Sequence, residues 1–546
     1  PVRVQHEYSP VKVTQPKPGT YVYDLGQNFS GWPAISVTGP AGARVKMTPG
    51  ELLDESGLVS QRSSGGPTYF SYVLKGQGRE RWAPRFSYYG FRYVQVEVAA
   101  PEGAAGGGPA VLHSLTGQFI HLDAPRIGRF ESSSDLLNRI HALIDAAVRS
   151  NLQHVLTDCP HREKLGWLEQ AHLMGPSLVY NWDLRTFLPK IARDMREAQT
   201  VDGLVPDIAP EYVVFGRGFR DSPEWGSAAA LVPRMAFDWY GDRQTLQDAY
   251  PMMKSYVSYL GARAGDGILN YGLGDWYDIG PGAPGFSQLT PMGLTATAFY
   301  LEDLREAGRA AALLGLGGER AAFDARFTEM LGRFQKAFYR DGSYAGGSQT
   351  ALAMPLAMNL APAESRAALA GRLVDAIRSR DNHTSAGDIG YRYVIQALLE
   401  AGRNDVIFDL ASQPTKPSYA GQLAAGATSL TEAWDANPNS SQNHLMLGHI
   451  EQWFYAGLAG IRPVADSPGL TKIRIWPAPV GDVRWVKASW DSVRGPVNVD
   501  WRISGGRFHL SVDIPPGMTA DVRLPGQAAA TKGSGHYELE CAAPGS

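Results

Sequence analysis

The stretch LLNRIHALIDAAV at residues 136–148 shows how the middle of this chain folds. Its apolar side chains recur every three or four positions, at Leu136, Ile140, Leu143, Ile144 and Val148. This is the spacing of one face of an α-helix. The same spacing recurs from residue 132 to about residue 462, so this part of the chain is predicted to be helical.

The same spacing predicts further helices later in the chain, separated by long loops that contain Gly, Pro, Asp and Trp. They lie at 225–240, 245–264, 293–315, 318–338, 348–360, 364–379, 390–402 and 443–459. A helical array of this length with such loops is better explained by a toroid of helical hairpins with a functional mouth than by a simple bundle.

Both ends of the chain change to the period of two that is typical of strands. The strands are predicted at 21–24, 34–37, 44–47 and 93–98, and then at 472–476, 483–486, 497–501, 508–512 and 520–524. The stretch AAPEGAAGGGPA at 99–110 is predicted to be a loop or linker. We therefore expect three domains: a β-sandwich with its linker at 1–130, a helical domain at 131–462 and a second β-sandwich at 463–546.

The amino-acid composition limits the kinds of partner that we expect for this chain. The 51 Lys and Arg nearly balance the 54 Asp and Glu, and no basic run stands out. Nucleic acid and membrane surfaces are therefore not expected partners, and a neutral ligand fits better. No apolar run approaches the roughly 20 residues of a membrane span. Because the chain opens at Pro1 without an initiator Met or a signal-peptide pattern, we expect that an upstream segment has been removed.

Two short clusters combine carboxylates with indoles. They are DCPHREKLGWLEQ at 158–170 and TEAWD at 431–435. Splitting a bond between sugars requires one acid, one base and flat apolar walls for the ring. The residues therefore favour a glycosidase as the first hypothesis.

In the first cluster, Pro160 suits a helix start, and Asp158 just before it can accept backbone N–H bonds. Helical spacing beyond Pro160 would place Glu163, Trp167 and Gln170 on one face. An N-capped helix with an ordinary surface glutamate and a packed tryptophan explains the same residues. This stretch alone leaves both interpretations open.

The second cluster is followed by turn-forming residues at 437–440 and then by the predicted helix at 443–459, which carries His444. Taken alone, a Thr431 N-cap followed by a solvent-exposed Glu432 explains this cluster as well. Further candidate walls lie at 205–207, 221–226 and 274–278. Several pairs of an acidic residue and a tryptophan in loops of one helical region favour a sugar site.

The sequence contains no motif that is typical of a metal site or a cofactor site. The 12 His residues form no HExxH motif and no Cys/His ligand spacing. The sequence also contains no phosphate-cradling P-loop and no GxGxxG. We therefore predict that the protein uses no metal and no cofactor.

At these residues the chain resembles the bacterial α-L-rhamnosidases of glycoside hydrolase family 78 over nearly its whole length. Residues 158–170 resemble that family's Asp-Cys-Pro-x-Arg-(Asp)-Glu-(Arg/Lys)-Leu-Gly-Trp signature. TEAWD at 431–435, followed by NHLMLGHIEQWFYAGLAGI at 443–461, is similar to its second conserved segment. YDLGQNFSGW at 23–32 is similar to the hallmark of its β-domain.

The resemblance implies a multidomain α and β chain, with a central (α/α)6 helical barrel flanked by N-terminal and C-terminal β-sandwich domains. It also implies an inverting hydrolysis in which Glu163 is the general acid and Glu432 the general base. The residues that it implies for rhamnose binding are Asp158, Arg162, Trp167, Asp275, Trp276, Trp434 and His444.

The chain departs from the family pattern at two points. Its signature is one residue shorter than the Arg-Asp-Glu-Arg form, and it continues as Leu168-Glu169-Gln170 where many members have Gly-Asp. Either Glu169 or Asp207 supplies the expected sugar-binding carboxylate, or the subsite favours a different linkage. N-terminal modules that many members carry are also missing from this chain. Their loss would reduce the number of contacts to the aglycone without abolishing the chemistry.

In the expected mechanism, Glu163 protonates the leaving oxygen while Glu432 deprotonates a water on the opposite face of the sugar. Inversion needs room for that water, so the two carboxyl groups should lie roughly 6.5–9.5 Å apart. L-Rhamnose carries a methyl group in place of a hydroxymethyl group, and Trp225 and Trp276 are the predicted contacts of that methyl. The expected substrate is a glycoside or oligosaccharide with a terminal non-reducing α-L-rhamnose.

Two other classes stay open at this stage. A polysaccharide lyase or another glycosidase on a helical toroid would keep the fold but change the chemistry. A carbohydrate-binding protein without catalysis would keep the aromatic walls. The sequence does not determine the aglycone, the linkage or the oligomeric state. A bacterial cytoplasmic or periplasmic location is the expectation.

Overall fold

The computed structural model describes residues 1–102, 108–465 and 467–544. Part of the linker predicted at 99–110 therefore lies outside the described residues. The chain divides into two compact units. The first unit contains residues 1–123, 142–166 and 422–445, and the second contains residues 124–141, 167–421 and 446–546. The domain boundaries expected from the sequence stay a prediction.

The predicted N-terminal strands form an eight-stranded antiparallel sheet in the first unit. Its strands are Val2–Tyr8, Lys12–Lys17, Thr20–Thr38, Arg44–Gly50, Phe70–Val73, Glu80–Trp82, Tyr89–Ala99 and Val111–Leu122. A small hairpin, Leu52–Leu53 with Val59–Ser60, follows the fourth strand. Period-two alternation places every second side chain in the core. This is the pattern from which the strands were predicted.

The buried core of this sheet contains a group of packed phenylalanines among its aliphatic residues. Phe29, Phe91 and Phe119 are fully buried, and the ring centroids of Phe91 and Phe119 lie 4.9 and 5.6 Å from that of Phe29. At the edge of this core, Gly90 has no side chain, and a Cβ there would lie 2.5 Å from Pro160 Cγ. The strand Tyr89–Ala99 therefore lies directly against the segment that contains Pro160 and His161.

The predicted helices of the central region are confirmed for seven of the eight segments named above, with bounds within a few residues. The α-helices are Asp135–Asn151, Glu169–Leu173, Gly175–Asn181, Phe187–Ala198, Pro223–Gly226, Ala228–Tyr240, Arg243–Arg263, Met292–Leu313, Gly317–Phe338, Gln349–Ala357, Arg366–Arg378, Asp388–Glu400, Asn404–Ser412, Tyr419–Ala424 and Glu451–Trp453. Their apolar residues are buried at helical spacing, as Leu188, Ile191 and Met195 are in Phe187–Ala198.

Two helix predictions are wrong. Residues 160–163 form a turn, and the next helix begins only at Glu169, so Glu163 and Trp167 do not share a helix face. The segment 443–450 is also not helical, and the helix begins at Glu451. Here the His444 N–H donates to the Leu430 carbonyl, so the backbone is hydrogen-bonded to a residue outside the predicted helix. At both places, hydrogen bonds other than those of a helix hold the backbone: between Asp158 and Leu165 in the first segment, and from His444 to Leu430 in the second.

The predicted C-terminal strands form two sheets in the second unit. The five-stranded antiparallel sheet contains Gly128–Ser132, Trp485–Ser492, Gly495–Ser504, Arg507–Ile514 and Gly535–Ala542. The four-stranded sheet contains Ile461–Pro463, Lys472–Ile475, Thr519–Val522 and Ala530–Lys532. Their alternating apolar residues, such as Val499 and Trp501, are buried, as the period of two predicts.

Candidate active site

Residues 158–165 form a closed loop in the first unit. The Asp158 N–H donates to the Leu165 carbonyl at 3.1 Å, and the Leu165 N–H donates to Asp158 Oδ1 at 2.9 Å. Lys164, next to the closing bonds, adopts a left-handed φ of 56°. The loop is therefore fixed at its base, while its tip presents Arg162 and Glu163.

A second loop in the same unit carries Glu432. The Glu432 N–H donates to the Ser441 carbonyl at 2.9 Å, and the Ser441 N–H donates to Glu432 Oε2 at 2.8 Å. This reciprocal pair fixes both the backbone and the carboxylate of Glu432. A solvent-exposed glutamate after a Thr431 N-cap is therefore excluded, because the Glu432 side chain is 8% exposed.

Arg162 joins the two loops. Its Nη2 donates to both carboxylate oxygens of Glu432 at 2.8 Å, across 270 residues of sequence. Its Nε lies 3.3 Å from Glu163 Oε1 in an ion pair. Because the guanidinium group is small and planar, these contacts keep the nearest oxygens of the two carboxylates at most about 8.5 Å apart. The Glu163 side chain is 36% exposed, whereas that of Arg162 is 25% exposed.

Asp158 lies buried at the base of the first loop. Burial, and then the charge of Glu163, raise the pKa of Asp158 to about 8. Its carboxyl group is therefore mostly protonated near neutral pH. Its Oδ1 still accepts the Leu165 N–H in this state.

The other two predicted sugar-binding residues of the first unit, Trp434 and His444, are also buried. Burial, and then the positive charge of Arg162, lower the pKa of His444 to about 3. The His444 ring is therefore neutral at any moderate pH. The structure thus brings Asp158, Arg162, Glu163, Glu432, Trp434 and His444 into one compact unit.

The second unit holds the remaining predicted residues, including the buried carboxylates Glu169 and Asp207. Asp207 Oδ1 accepts the Ser222 N–H at 2.8 Å, and its Oδ2 has no hydrogen-bond partner among the described residues. Burial raises the pKa of Asp207 well above its ordinary value, and the charges of neighbouring acids, Glu169 among them, add to the shift. Asp207 therefore has one buried carboxyl oxygen that no group of the described residues satisfies.

Asp275 is engaged within the second unit. Its Oδ2 accepts the Thr350 hydroxyl at 2.5 Å, and its Oδ1 accepts the Gly390 N–H at 2.7 Å. Burial raises the pKa of Asp275 to about 7. The loop at 274–278 is therefore held by the helices Gln349–Ala357 and Asp388–Glu400.

The three tryptophans of the second unit that were predicted to bind the sugar differ in exposure. Trp225 is fully buried, and its Nε1 has no hydrogen-bond partner among the described residues. Trp167 is half-buried and stacks on Phe215 with 5.4 Å between ring centroids. Trp276 is half-buried, and the ring of Phe219 meets it edge-on at 5.6 Å. The two half-buried indoles offer the accessible apolar surface.

Sequence reasoning missed three polar residues near these groups: Glu51, Ser441 and Asp388. Glu224, by contrast, lies in the candidate wall predicted at 221–226. Glu224 accepts the Thr295 hydroxyl through Oε1, its Oε2 has no hydrogen-bond partner in the described chain, and burial raises its pKa to about 7. With Trp225 it forms one of the pairs of an acidic residue and a tryptophan that the sequence indicated. Glu51, Ser441 and Asp388 lie in no motif, so only the folded chain identifies them.

The described residues contain neither a candidate metal site nor a candidate membrane-spanning helix. Within 1–102, 108–465 and 467–544, no cluster of His, Cys, Asp and Glu is arranged to hold a metal ion. Over the same residues, no helix has both the length and the apolar character needed to cross a bilayer.

Comparison with known families matches three successive parts of the chain. The bacterial alpha-L-rhamnosidase concanavalin-like domain matches residues 14–121, and the bacterial alpha-L-rhamnosidase 6 hairpin glycosidase domain matches 125–458. The bacterial alpha-L-rhamnosidase C-terminal domain matches 460–538.

Individual relatives agree with these matches. The α-L-rhamnosidase of Streptomyces avermitilis is 36% identical over 541 residues, which cover 96% of this chain and 50% of that protein. A solved structure of that organism's enzyme complexed with L-rhamnose superposes with a TM-score of 0.90 at 33% identity, covering 99% of this chain and 54% of the other. The α-L-rhamnosidase from Dictyoglumus thermophilum gives a TM-score of 0.91 at 29% identity, covering 100% and 64%.

This chain spans 50–58% of the length of the curated relatives that it matches. The predicted fold class is confirmed: a multidomain α and β chain with a central (α/α)6 helical barrel and β-sandwich domains on its N-terminal and C-terminal sides in sequence. Because the hairpin-glycosidase domain alone accounts for residues 125–458, this chain belongs to the bacterial α-L-rhamnosidases of glycoside hydrolase family 78.

Proposed function

We propose that this chain is an inverting α-L-rhamnosidase that releases terminal non-reducing α-L-rhamnose from a rhamnoside. The observation that carries the proposal is the contact of one guanidinium group, that of Arg162, with the carboxylates of both Glu163 and Glu432. Two carboxylates held at a limited distance are what glycoside hydrolysis requires.

The environments of the two carboxylates suit different roles. Glu163 lies at a loop tip and is partly exposed, so it can reach the glycosidic oxygen as general acid. After it has lost its proton, its carboxylate lies 3.3 Å from Arg162 Nε, which stabilises the charge. Glu432 is buried and oriented by the Ser441 N–H, as a general base that must aim at one water requires.

The other proposed sugar-binding residues supply hydrogen bonds and apolar surface. The set is Asp158, Arg162, Trp167, Glu169, Asp207, Trp225, Asp275, Trp276, Trp434 and His444. Among them, Asp207 has a carboxylate oxygen without a hydrogen-bond partner in the described chain, which suits a sugar hydroxyl group. The half-buried ring of Trp276 suits the methyl group of rhamnose better than the fully buried ring of Trp225.

Replacing either carboxylate by its amide tests the assignment. Glu163→Gln and Glu432→Gln should each lower kcat on an aryl α-L-rhamnoside by about 100- to 10,000-fold, because each removes proton transfer. The Glu163 variant should lose less activity on a dinitrophenyl rhamnoside, whose leaving group needs no proton. Glu55→Gln, on an exposed turn, is the matched control and should keep full activity. Unchanged turnover in Glu163→Gln would reject its role as the acid.

The anomeric form of the first product tests inversion. The upper limit of about 8.5 Å between the carboxylate oxygens allows both the roughly 6.5–9.5 Å of inverting enzymes and the roughly 5–5.5 Å of retaining ones, so the product decides between them. Proton NMR during early turnover should show β-L-rhamnose first, followed by mutarotation to the α form. Initial release of α-L-rhamnose would indicate a retaining mechanism.

Product analysis separates the alternative classes. Chromatography of natural rhamnosides after incubation should show free L-rhamnose. An unsaturated sugar that absorbs in the near ultraviolet would instead indicate a polysaccharide lyase. Binding of L-rhamnose without turnover of any rhamnoside would indicate a carbohydrate-binding protein.

A further inference from the structure

Glu51 is a fully buried carboxylate in the N-terminal sheet region, directly after the strand Arg44–Gly50. Its Oε1 accepts the Asn28 side-chain amide at 2.9 Å, and its Oε2 accepts the Gln442 N–H at 3.0 Å. His161 Nε2 lies 3.2 Å from the same Oε2. A buried carboxylate is tolerated only with such partners, so these donors account for its burial.

One branch of this arrangement reaches the loop of Glu163. His161 Nδ1 accepts the Arg162 N–H at 2.8 Å, so this nitrogen carries no proton. The ring proton is therefore on Nε2, which faces Glu51 Oε2 and lies 2.9 Å from Ser441 Oγ. Glu51 thus sets the tautomer and the orientation of the ring that holds the backbone at Arg162.

The other branch reaches the loop of Glu432. Two successive peptide N–H groups there point to two different carboxylates. The Ser441 N–H donates to Glu432 Oε2, and the Gln442 N–H donates to Glu51 Oε2. Any displacement of the Glu51 carboxylate would therefore shift the peptide that orients Glu432.

We propose that Glu51 is a positioning residue for the reaction, which holds the Glu163 loop through His161 and the Glu432 loop through the peptide at Ser441 and Gln442. This inference rests on the proposed function. It assigns to the N-terminal sheet region a direct part in aligning the acid and the base, beyond its packing role.

Glu51→Gln is the sharpest probe because it keeps the size of the side chain. Glu51 accepts hydrogen bonds through both oxygens, so an amide NH2 in either position faces a donor. Rotation of the Asn28 amide cannot relieve this, since its NH2 also donates to the Gln442 carbonyl at 3.0 Å. We expect kcat to fall by about 10- to 100-fold with little change in KM, the effect of a misplacement of about 1 Å.

The control is Glu80→Gln in the same sheet. Glu80 is also buried and accepts three hydrogen bonds, from the Tyr72 hydroxyl and the N–H groups of Lys75 and Gly76. It contacts neither loop through these bonds. Glu80→Gln should lower Tm without lowering kcat per folded molecule, as a merely structural role predicts.

A double-mutant cycle completes the test. His161→Gln should lower kcat, but by less than Glu51→Gln, because it removes only the branch to the Glu163 loop. The Glu51→Gln/His161→Gln chain should lose little more than Glu51→Gln alone, because the His161 branch acts through Glu51. If Glu51→Gln does not fold, the kcat and KM of His161→Gln still test that branch. Wild-type kcat in folded Glu51→Gln, or in His161→Gln, or additive losses in the cycle, would overturn the inference. Absence of turnover by the unmodified chain would instead reject the proposed function.

Discussion

At the scale of single residues, Arg162 is the centre of the candidate site. Its contacts with Glu163 and Glu432 bring together two carboxylates that are far apart in the chain. A planar guanidinium group can contact two carboxylates in this way, whereas a lysine ammonium group is a single point charge. The resemblance assigns Arg162 to rhamnose binding, and its contacts add the separate task of holding the acid and the base.

Asp158 gives a prediction about pH. Its folded-state pKa of about 8 exceeds the ordinary value of 3.8, so the native state holds a proton that the unfolded chain releases. The stability that this proton contributes is complete below about pH 4 and is lost as pH rises towards 8. Asp158→Asn keeps the acceptor for the Leu165 N–H but cannot titrate.

The measurement is urea unfolding of both chains at several pH values between about 4 and 8. The free energy of unfolding of the wild type, relative to that of Asp158→Asn, should fall as the pH rises. A difference that stays constant, or that grows with pH, would contradict a raised pKa at Asp158.

At the scale of elements, the first loop depends on the strand beneath it. A Cβ at position 90 would lie 2.5 Å from Pro160 Cγ and 3.2 Å from His161 Cδ2. The proline ring cannot swing aside as a flexible side chain can. The absence of a side chain at Gly90 therefore lets the loop that carries Glu163 pack directly on the strand.

Gly90→Ala should displace this loop. We expect a loss of about 1–3 kcal/mol in the free energy of unfolding, as overpacking typically causes, together with a fall in kcat. Urea unfolding and kinetics on an aryl rhamnoside would measure both. Gly332→Ala is the control, because a Cβ there meets no atom within 4 Å and the position lies within a helix. Unchanged kcat in Gly90→Ala would show that the loop does not depend on this contact.

At the scale of the whole molecule, the first unit is assembled from three separate stretches of chain. The stretch 1–123 supplies Asn28, whose amide donates to the Gln442 carbonyl at 3.0 Å in the stretch 422–445. The Gln27 amide also donates to the Thr428 carbonyl at 2.5 Å. The N-terminal strands are therefore part of the same folded unit as both candidate carboxylates.

Removing residues 1–123 should therefore abolish activity and expose residues 422–445 to protease, because their partners in the sheet are lost. Limited proteolysis followed by mass spectrometry, with kinetics on the same samples, would measure both effects. A chain that lacks only the edge strand Val2–Tyr8 is the control and should keep its activity. Full turnover by the longer truncation would contradict this dependence.

The sequence by itself determined seven of the eight named helical segments and the strands at both ends of the chain, because their apolar periodicities of 3.6 and two residues are local signals. Ile140, Leu143 and Ile144 are buried as their spacing predicted, and so are Val499 and Trp501. The motifs were enough to name Glu163 and Glu432 as candidates and to identify the family.

Only the tertiary structure decided the shape of the two loops and the contacts between them. The helix predicted after Pro160 is a turn because the hydrogen bonds between Asp158 and Leu165 close it. Arg162 meets Glu432 across 270 residues, and Glu51 meets Gln442 across 391. Such contacts arise from the packing of distant segments, for which no pattern of neighbouring residues is a signal.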